Sequence, residues 1–202
     1  DLAAKDTIFF IAEKEERAAY YAGQLRTELG QKLDLLEKNA YRFCYVNDFP
    51  MFALDPDTKQ IGFTHNPFSM PQGGLEALMT KHPLDVLAYQ YDIVCNGVEL
   101  SSGAVRNHDM EIMEKAFAIA GYDKETLQHK FGALYTAFQF GAPPHAGMAP
   151  GVDRMIMLLR GEENIREVIA FPMSGSAQDL MCGAPNDVTE KQLREVHIKI
   201  RS

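Results

Sequence analysis

The sequence has no tryptophan and only three cysteines in 202 residues. Cys44, Cys95 and Cys182 lie far apart, and an odd number cannot pair completely. Free thiols in a reducing cytoplasm therefore fit the sequence better than a disulfide framework. No cysteines and histidines have the spacing of a zinc site. We expect a cytoplasmic protein whose fold depends on neither disulfides nor zinc.

Long apolar runs and excess positive charge are also missing. No run reaches the ~20 residues that cross a bilayer, so no membrane partner is expected. The formal net charge of −8 argues against a nucleic-acid-binding module, because phosphate binding needs clustered lysine and arginine. The chain starts at Asp1 with neither an initiator methionine nor a signal-peptide pattern. We therefore expect a processed or truncated product.

The hydrophobic fraction of 46% can supply a full core. Apolar and polar periodicity predicts a buried strand at Thr7–Ala12 and a helix at Glu13–Leu36. Further strands are predicted at Arg42–Met51, Gln60–Thr64, Tyr91–Cys95, Val98–Arg106 and Arg166–Phe171. We expect Gln60–Thr64 to pair back on the strand before it, and Asn96-Gly97 to form a tight hairpin turn.

Two helices have clear start signals. Asp109 and Asp123 can each cap a helix, which predicts helices over Met110–Ala120 and Lys124–Phe140. The C-terminal stretch Lys191–Ile200 fits either a short helix or a docking tail. Together these patterns indicate a fold with both helices and strands.

The stretch Gly141–Leu159 (GAPPHAGMAPGVDRMIMLL) begins with small residues and continues with apolar residues at helical spacing. It predicts a strand or loop that leads into a helix starting near Gly151. A cation in the first helical turn, as at Arg154, is favourable only if it faces an anion. Free N–H groups, close glycines and one arginine suit a phosphate site. A tight packing point with Arg154 on the surface is the alternative.

Glu99 and Arg106 lie seven residues apart on one predicted strand, a spacing that sends side chains to opposite faces. A bulge at Ser101–Gly103 would bring both to one face. The alternative is that both side chains are simply exposed. Similarly, His65 in the loop Thr64–Gly74 is either a functional residue or a hydrogen-bonded turn residue.

Three segments in order, HNPF, NGVELSSGAVRNHD and GAPPHAGMAPGVDR, resemble those of bacterial-type aspartyl-tRNA synthetases, which are class II aminoacyl-tRNA synthetases. The resemblance implies an α+β fold with an antiparallel sheet flanked by helices, incomplete in this chain. It implies an aspartate–tRNA ligase, which activates L-aspartate with ATP to aspartyl-adenylate and then transfers the aspartyl group to tRNA. No protein nucleophile takes part, so catalysis rests on positioning and charge stabilisation.

The resemblance also implies residue roles. The set that binds ATP comprises Glu99, Gly151, Val152, Asp153 and Arg154. Within it, Arg154 contacts the triphosphate and Glu99 binds Mg²⁺ held with ATP, and these two are the catalytic candidates. For L-aspartate, Arg106 reads the side-chain carboxylate and His65 belongs to a loop that folds over the amino acid. Asn66 replaces the second histidine of that loop.

The resemblance covers only the C-terminal part of the family's proteins. The anticodon-binding barrel, motif 1, which builds the family's homodimer, and motif 2, whose arginine grips the α-phosphate, have no counterpart here. Residues 1–40 resemble the exit of an insertion domain with its connecting helix, and residues 41–202 the C-terminal part of the catalytic domain. We therefore expect the isolated chain to be inactive, with tRNA and the homodimer as partners of the full-length parent.

Two alternatives stay open at this point. One is a tRNA-independent relative that transfers activated aspartate to ammonia, an aspartate–ammonia ligase. The other is a folded fragment without catalytic function.

Overall fold

The computed structural model describes Ala3 and residues 6–201, and the chain divides into two compact units, residues 1–42 and 43–202. The first unit contains helix α1 (Glu15–Lys32), which confirms the predicted helix. Two glutamates in its first turn and Lys32 in its last suit the helix dipole. The interpretation of this unit as the end of an insertion domain stays a prediction.

The predicted buried strand at Thr7–Ala12 is wrong. This segment has no strand assignment and is exposed throughout, with Phe10 88% accessible. Apolar content alone does not make a strand, because the backbone also needs a neighbouring strand to pair with. Nothing in the described part of the chain pairs with this segment.

The second unit is built on a four-stranded antiparallel sheet, which confirms the predicted α+β class. Its strands, in spatial order, are β1 (Phe43–Asn47), β4 (Gln90–Cys95), β5 (Val98–Val105) and β6 (Ala146–Pro150). Asn96 and Gly97 both have positive φ, as a two-residue type I′ hairpin requires. The predicted hairpin between β4 and β5 is therefore confirmed.

A separate hairpin joins β2 (Phe52–Leu54) to β3 (Ile61–Phe63). The prediction that Gln60–Thr64 pairs back on Arg42–Met51 is only partly right. β3 does pair back as a hairpin, but its partner is β2, which lies just after the predicted strand. β1, inside the predicted strand, pairs with β4 instead. Asp48, the residue after β1, has a φ of 60°, which lies in the left-handed region. The extended backbone of β1 therefore ends there, and the chain turns before β2 begins.

The helices of this unit are α2 (Gly74–Thr80), α3 (Met110–Ile119), α4 (Lys124–Gln139), α5 (Val152–Arg160) and α6 (Glu190–Glu195). Asp109 accepts hydrogen bonds from two N–H groups of α3, and Asp123 accepts one from Thr126 of α4, so both predicted caps are confirmed. The C-terminal stretch Lys191–Ile200, predicted as either a short helix or a docking tail, overlaps the short helix α6.

Short 3₁₀ turns occur at Pro83–Asp85 and Ile165–Val168. The predicted strand Arg166–Phe171 is therefore wrong. The side chain of Asn164 accepts the Arg166 N–H and starts the turn, and this local cap favours the turn over the apolar strand pattern.

Two clusters of buried side chains form the core. The first contains Met51, Phe52, Leu78, Val86, Ala88 and Ala116, and the second contains Met113, Phe117, Leu127 and Tyr135. Helix α3 contributes to both clusters. Phe63 and Phe68 pack against this core and so fix both ends of the segment that carries His65. Over residues 3 and 6–201, no helix has the length and apolarity needed to cross a bilayer.

Candidate functional site

The corner between β5, β6 and α5 has the form predicted for a strand that leads into a helix. Gly151 precedes α5 as its N-terminal cap, and its N–H donates to the Leu100 carbonyl at 2.7 Å. A side chain at this position would start 3.4 Å from that carbonyl oxygen. No side-chain cap occupies the helix start. The first-turn N–H groups of α5 thus receive no acceptor from an N-cap side chain, and groups of this kind can bind an anion.

Arg154 is held against β5 instead of extending into solvent. Its Nη1 donates to the Glu99 backbone carbonyl at 2.7 Å and lies 3.2 Å from the Glu99 carboxylate. Glu99 therefore supplies the anion that a cation in the first turn of a helix needs. Both side chains are almost half exposed, at 44% and 47%, so water screens the pair. Each group can exchange its partner for a ligand at little cost.

A bulge does interrupt β5, one residue before the predicted position. Ile93 lies opposite Ser101 whereas Val94 lies opposite Glu99, so Leu100 is the extra residue. The carbonyl of Leu100 is the acceptor that binds Gly151. The irregularity in β5 and the start of α5 are therefore parts of one arrangement.

The bulge changes which side chains share a face. Residues directly opposite each other in an antiparallel pair point to the same side, so Glu99 shares a face with Val94, and Ser102 with Asp92. Asp92 and Val94 are two residues apart and also share a face. Arg106 continues the alternation of Ser102. Glu99 and Arg106 thus lie on one face of the sheet, as the bulge prediction requires.

Asp92 is a second carboxylate on this face that the sequence analysis missed. A signal for it was present in the sequence. A two-residue turn at Asn96-Gly97 places Val94 opposite Glu99, and Asp92 follows two residues further from the turn.

Arg106 lies where the three distinctive segments meet. Its N–H donates to the His145 carbonyl at 2.9 Å, which ties it to the stretch before β6. On the other side it forms a backbone bridge with Ser69, supported by a hydrogen bond from the Asn107 N–H to the Phe68 carbonyl at 2.7 Å. The histidine loop, β5 and the small-residue stretch are therefore joined by backbone hydrogen bonds around one arginine.

His65 is exposed and lies apart from the charged residues. Its ring contacts the edge of Phe49 at 5.0 Å between centroids. It also borders an open cavity of about 770 Å³ beside the β2–β3 hairpin. Within the described residues no hydrogen bond joins His65 to Arg106, Glu99 or Arg154. The structure thus places Glu99 and Arg106 on one face of the sheet and pairs Arg154 with Glu99, with His65 on the loop that bridges to Arg106 through Ser69.

The described part of the chain holds no group of three or more histidine, cysteine, aspartate or glutamate side chains that could bind a metal ion. A Mg²⁺ ion bound together with ATP needs fewer protein ligands, since one or two carboxylates together with phosphate oxygens are its usual ligands. Glu99 and Asp92 on one sheet face fit that requirement.

Known proteins are similar to this chain in sequence and in fold. Residues 8–175 match the family described as tRNA synthetases class II (D, K and N). The chain is 61% identical over 199 residues to the aspartate--tRNA(Asp/Asn) ligase of Zymomonas mobilis, covering 98% of this chain and 33% of that protein. It is 57% identical over 200 residues to the aspartate--tRNA ligase of Streptomyces avermitilis, covering 99% of this chain and 34% of that protein.

Among solved structures, the aspartyl tRNA synthetase of Entamoeba histolytica is similar, with a TM-score of 0.51 and 25% identity. The match covers 86% of this chain and 29% of that one. The chain thus spans about a third of the length of the curated relatives it matches.

Proposed function

The chain belongs to the family of class II tRNA synthetases (D, K and N), and from this we propose that it forms part of an aspartate–tRNA ligase. The proposed reaction activates L-aspartate with ATP and then passes the aspartyl group to tRNA. The observation that carries the proposal is that three motif segments meet at Arg106. Glu99 lies on the same face of the sheet as Arg106, and Arg154 donates a hydrogen bond to Glu99. An aspartate–ammonia ligase gains no support from relatives that are named as tRNA ligases.

Arg106 is proposed to read the side-chain carboxylate of aspartate. A guanidinium matches a carboxylate in bidentate geometry, and it would be left without an ionic partner by neutral asparagine. His65 is proposed to cover the amino acid from its loop. Both belong to the aspartate side of the site.

The nucleotide side is proposed to lie at the corner of β5 and α5. Arg154 would bind the triphosphate, while Gly151, Val152 and Asp153 shape the adenine and ribose side. Glu99, with Asp92 on the same face, would hold Mg²⁺. The bound ion would supply positive charge that neutralises the phosphate oxygens.

This arrangement gives a simple account of the first chemical step. The α-carboxylate of aspartate attacks the α-phosphorus of ATP, and the bond to the β-phosphate oxygen breaks to release pyrophosphate. Arg154 stabilises the negative charge that gathers on the leaving phosphates. Arg154 and Glu99 form an ion pair with each other, and nucleotide binding would replace that pair with contacts from Arg154 to phosphate and from Glu99 to the ion.

The remaining functions belong to the whole protein. Because the chain spans a third of its relatives, we propose that tRNA binding and homodimer formation require the other parts. We propose a cytoplasmic location for the whole protein. The isolated 202-residue chain is proposed to be inactive.

A segment exchange tests the proposal directly. The matching 199 residues of the Zymomonas mobilis ligase would be replaced by this chain, and ATP–pyrophosphate exchange measured with aspartate and with asparagine. We expect aspartate-dependent exchange from this grafted ligase, little exchange with asparagine, and none from the 202-residue chain alone. A folded graft without aspartate-dependent exchange would contradict the proposal.

A further inference from the structure

Gln90 is a buried polar side chain to which the proposed chemistry gives no role. It starts β4 opposite Ala104 and is only 5% exposed. Burying an amide is unfavourable unless it is hydrogen-bonded. Its Nε2 donates to the Ser69 hydroxyl at 2.8 Å and to the Asn66 carbonyl at 3.2 Å. Both acceptors lie in the loop that carries His65.

These acceptors belong to a compact turn immediately after His65. The Asn66 carbonyl also accepts the Ser69 N–H at 3.2 Å, and the Asn66 side-chain oxygen accepts the Phe68 N–H at 2.9 Å. Among the described residues, Gln90 is the one side chain that bonds residues 65–70 to a strand of the sheet. Backbone hydrogen bonds also join the turn to the sheet, such as the one from the Met70 N–H to the Val105 carbonyl at 2.8 Å. The amide adds the side-chain link, which reaches the part of the turn nearest His65.

The same link reaches Arg106. Ser69 is completely buried and forms the backbone bridge with Arg106. A single side chain on β4 thus contacts both the turn beside His65 and the residue paired with Arg106. The nucleotide corner is held differently, through the Leu100 carbonyl and Gly151, and does not involve Gln90.

We propose that Gln90 is a positioning residue for the aspartate side of the site. Its amide holds the turn so that His65 and Arg106 keep a fixed separation. This inference rests on the proposed function, in which both residues face aspartate. It predicts an effect on aspartate binding that does not extend to ATP.

The test uses Gln90→Leu in the grafted ligase, because leucine keeps most of the volume but removes the donors. We expect the KM for aspartate to rise about tenfold, the size of effect that one or two lost buried hydrogen bonds produce. The KM for ATP should stay within about twofold. Ser69→Ala should raise the aspartate KM by about threefold, and the double variant should show less than the product of the two effects, since the residues share one hydrogen bond.

The control is Tyr135→Phe, which removes a buried hydroxyl that donates to Glu114 elsewhere in the same unit. It should lower the melting temperature without changing either KM. If Gln90→Leu does not fold, Ser69→Ala alone decides the question. A rise of both KM values together, or of neither, overturns the inference. An inactive unsubstituted graft would instead contradict the proposed function, so the two failures are distinguishable.

Discussion

Arg154 stands in the first turn of α5, where the helix dipole opposes a positive charge. The Glu99 carbonyl and carboxylate offset this, at 2.7 Å and 3.2 Å from Nη1. Because both side chains are partly exposed, the pair adds little to stability but fixes the direction of the guanidinium. An arginine already oriented loses less entropy when it binds an anion.

Arg154→Ala in the grafted ligase is expected to lower kcat for ATP–pyrophosphate exchange by about 10²–10³-fold, equivalent to about 3–4 kcal/mol of transition-state stabilisation. The physical reason is the loss of the cation that faces the leaving phosphates. Arg160→Ala, in the last turn of the same helix, is the matched control and should leave the rate nearly unchanged. Similar rates for the two variants would show that Arg154 has no role at the phosphates.

At the scale of the elements, Gly103 allows β5, β6 and the Tyr91 ring to approach closely. A Cβ at Gly103 would lie 2.4 Å from the Gly147 carbonyl oxygen and 2.5 Å from the Tyr91 ring. The Tyr91 hydroxyl donates to that same carbonyl at 3.0 Å, and this hydrogen bond holds the ring close to Gly103. Glycine at this position therefore sets how closely β6 and the start of α5 approach β5.

Gly103→Ala is expected to destabilise the chain by about 1–3 kcal/mol, because an added methyl group in a filled space forces the strands apart. Gly147→Ala on the facing strand is the control, since a Cβ there meets nothing within 4 Å. Urea denaturation of both variants measures the difference. Equal midpoints would mean that the strands shift without cost and that the close approach is unimportant.

At the scale of the whole molecule, polar groups connect α3 with α4 at the edge of the second core cluster. The Tyr135 hydroxyl donates to Glu114, and Lys124 lies 2.9 Å from the same carboxylate. The hydrogen bond from Tyr135, followed by the contacts with Lys124, lowers the pKa of Glu114 below its ordinary value of 4.5. The folded state therefore favours the ionised form of this carboxyl group.

This lowered pKa has a definite effect on stability against pH. A carboxyl group with a lower pKa in the folded state stabilises the protein fully above its unfolded pKa, and the contribution is lost as the pH falls through the folded pKa. The stability difference between wild type and Glu114→Gln should thus be constant near neutral pH and shrink below about pH 4.5. Thermal denaturation from pH 7 to pH 3 measures it.

Glu125→Gln provides the comparison for that experiment, because Glu125 is an exposed glutamate in the first turn of α4. This variant removes one exposed carboxylate of α4 outside the contacts with Tyr135 and Lys124, so it measures the general effect of losing one negative charge. The same pH dependence for both variants would contradict a specific role for the contacts between α3 and α4.

The sequence by itself determined the features that depend on neighbouring residues. Asn96-Gly97 favours positive φ and so makes the hairpin, Asp109 and Asp123 cap the helices that follow them, and Gly151 marks the start of α5. From that hairpin, the common face of Asp92 and Glu99 also follows by counting. These features are local, because a few dihedral angles and one or two hydrogen bonds decide them.

Only the tertiary structure decided the features that depend on distant partners. Thr7–Ala12 has the apolar content of a strand but no strand beside it. The bulge lies at Leu100, whose carbonyl accepts a hydrogen bond from Gly151, far along the chain. The pair of Arg154 with Glu99 and the link from Gln90 to Ser69 likewise join segments separated by tens of residues. Such contacts depend on the register and close approach of folded elements, which periodicity along the chain does not encode.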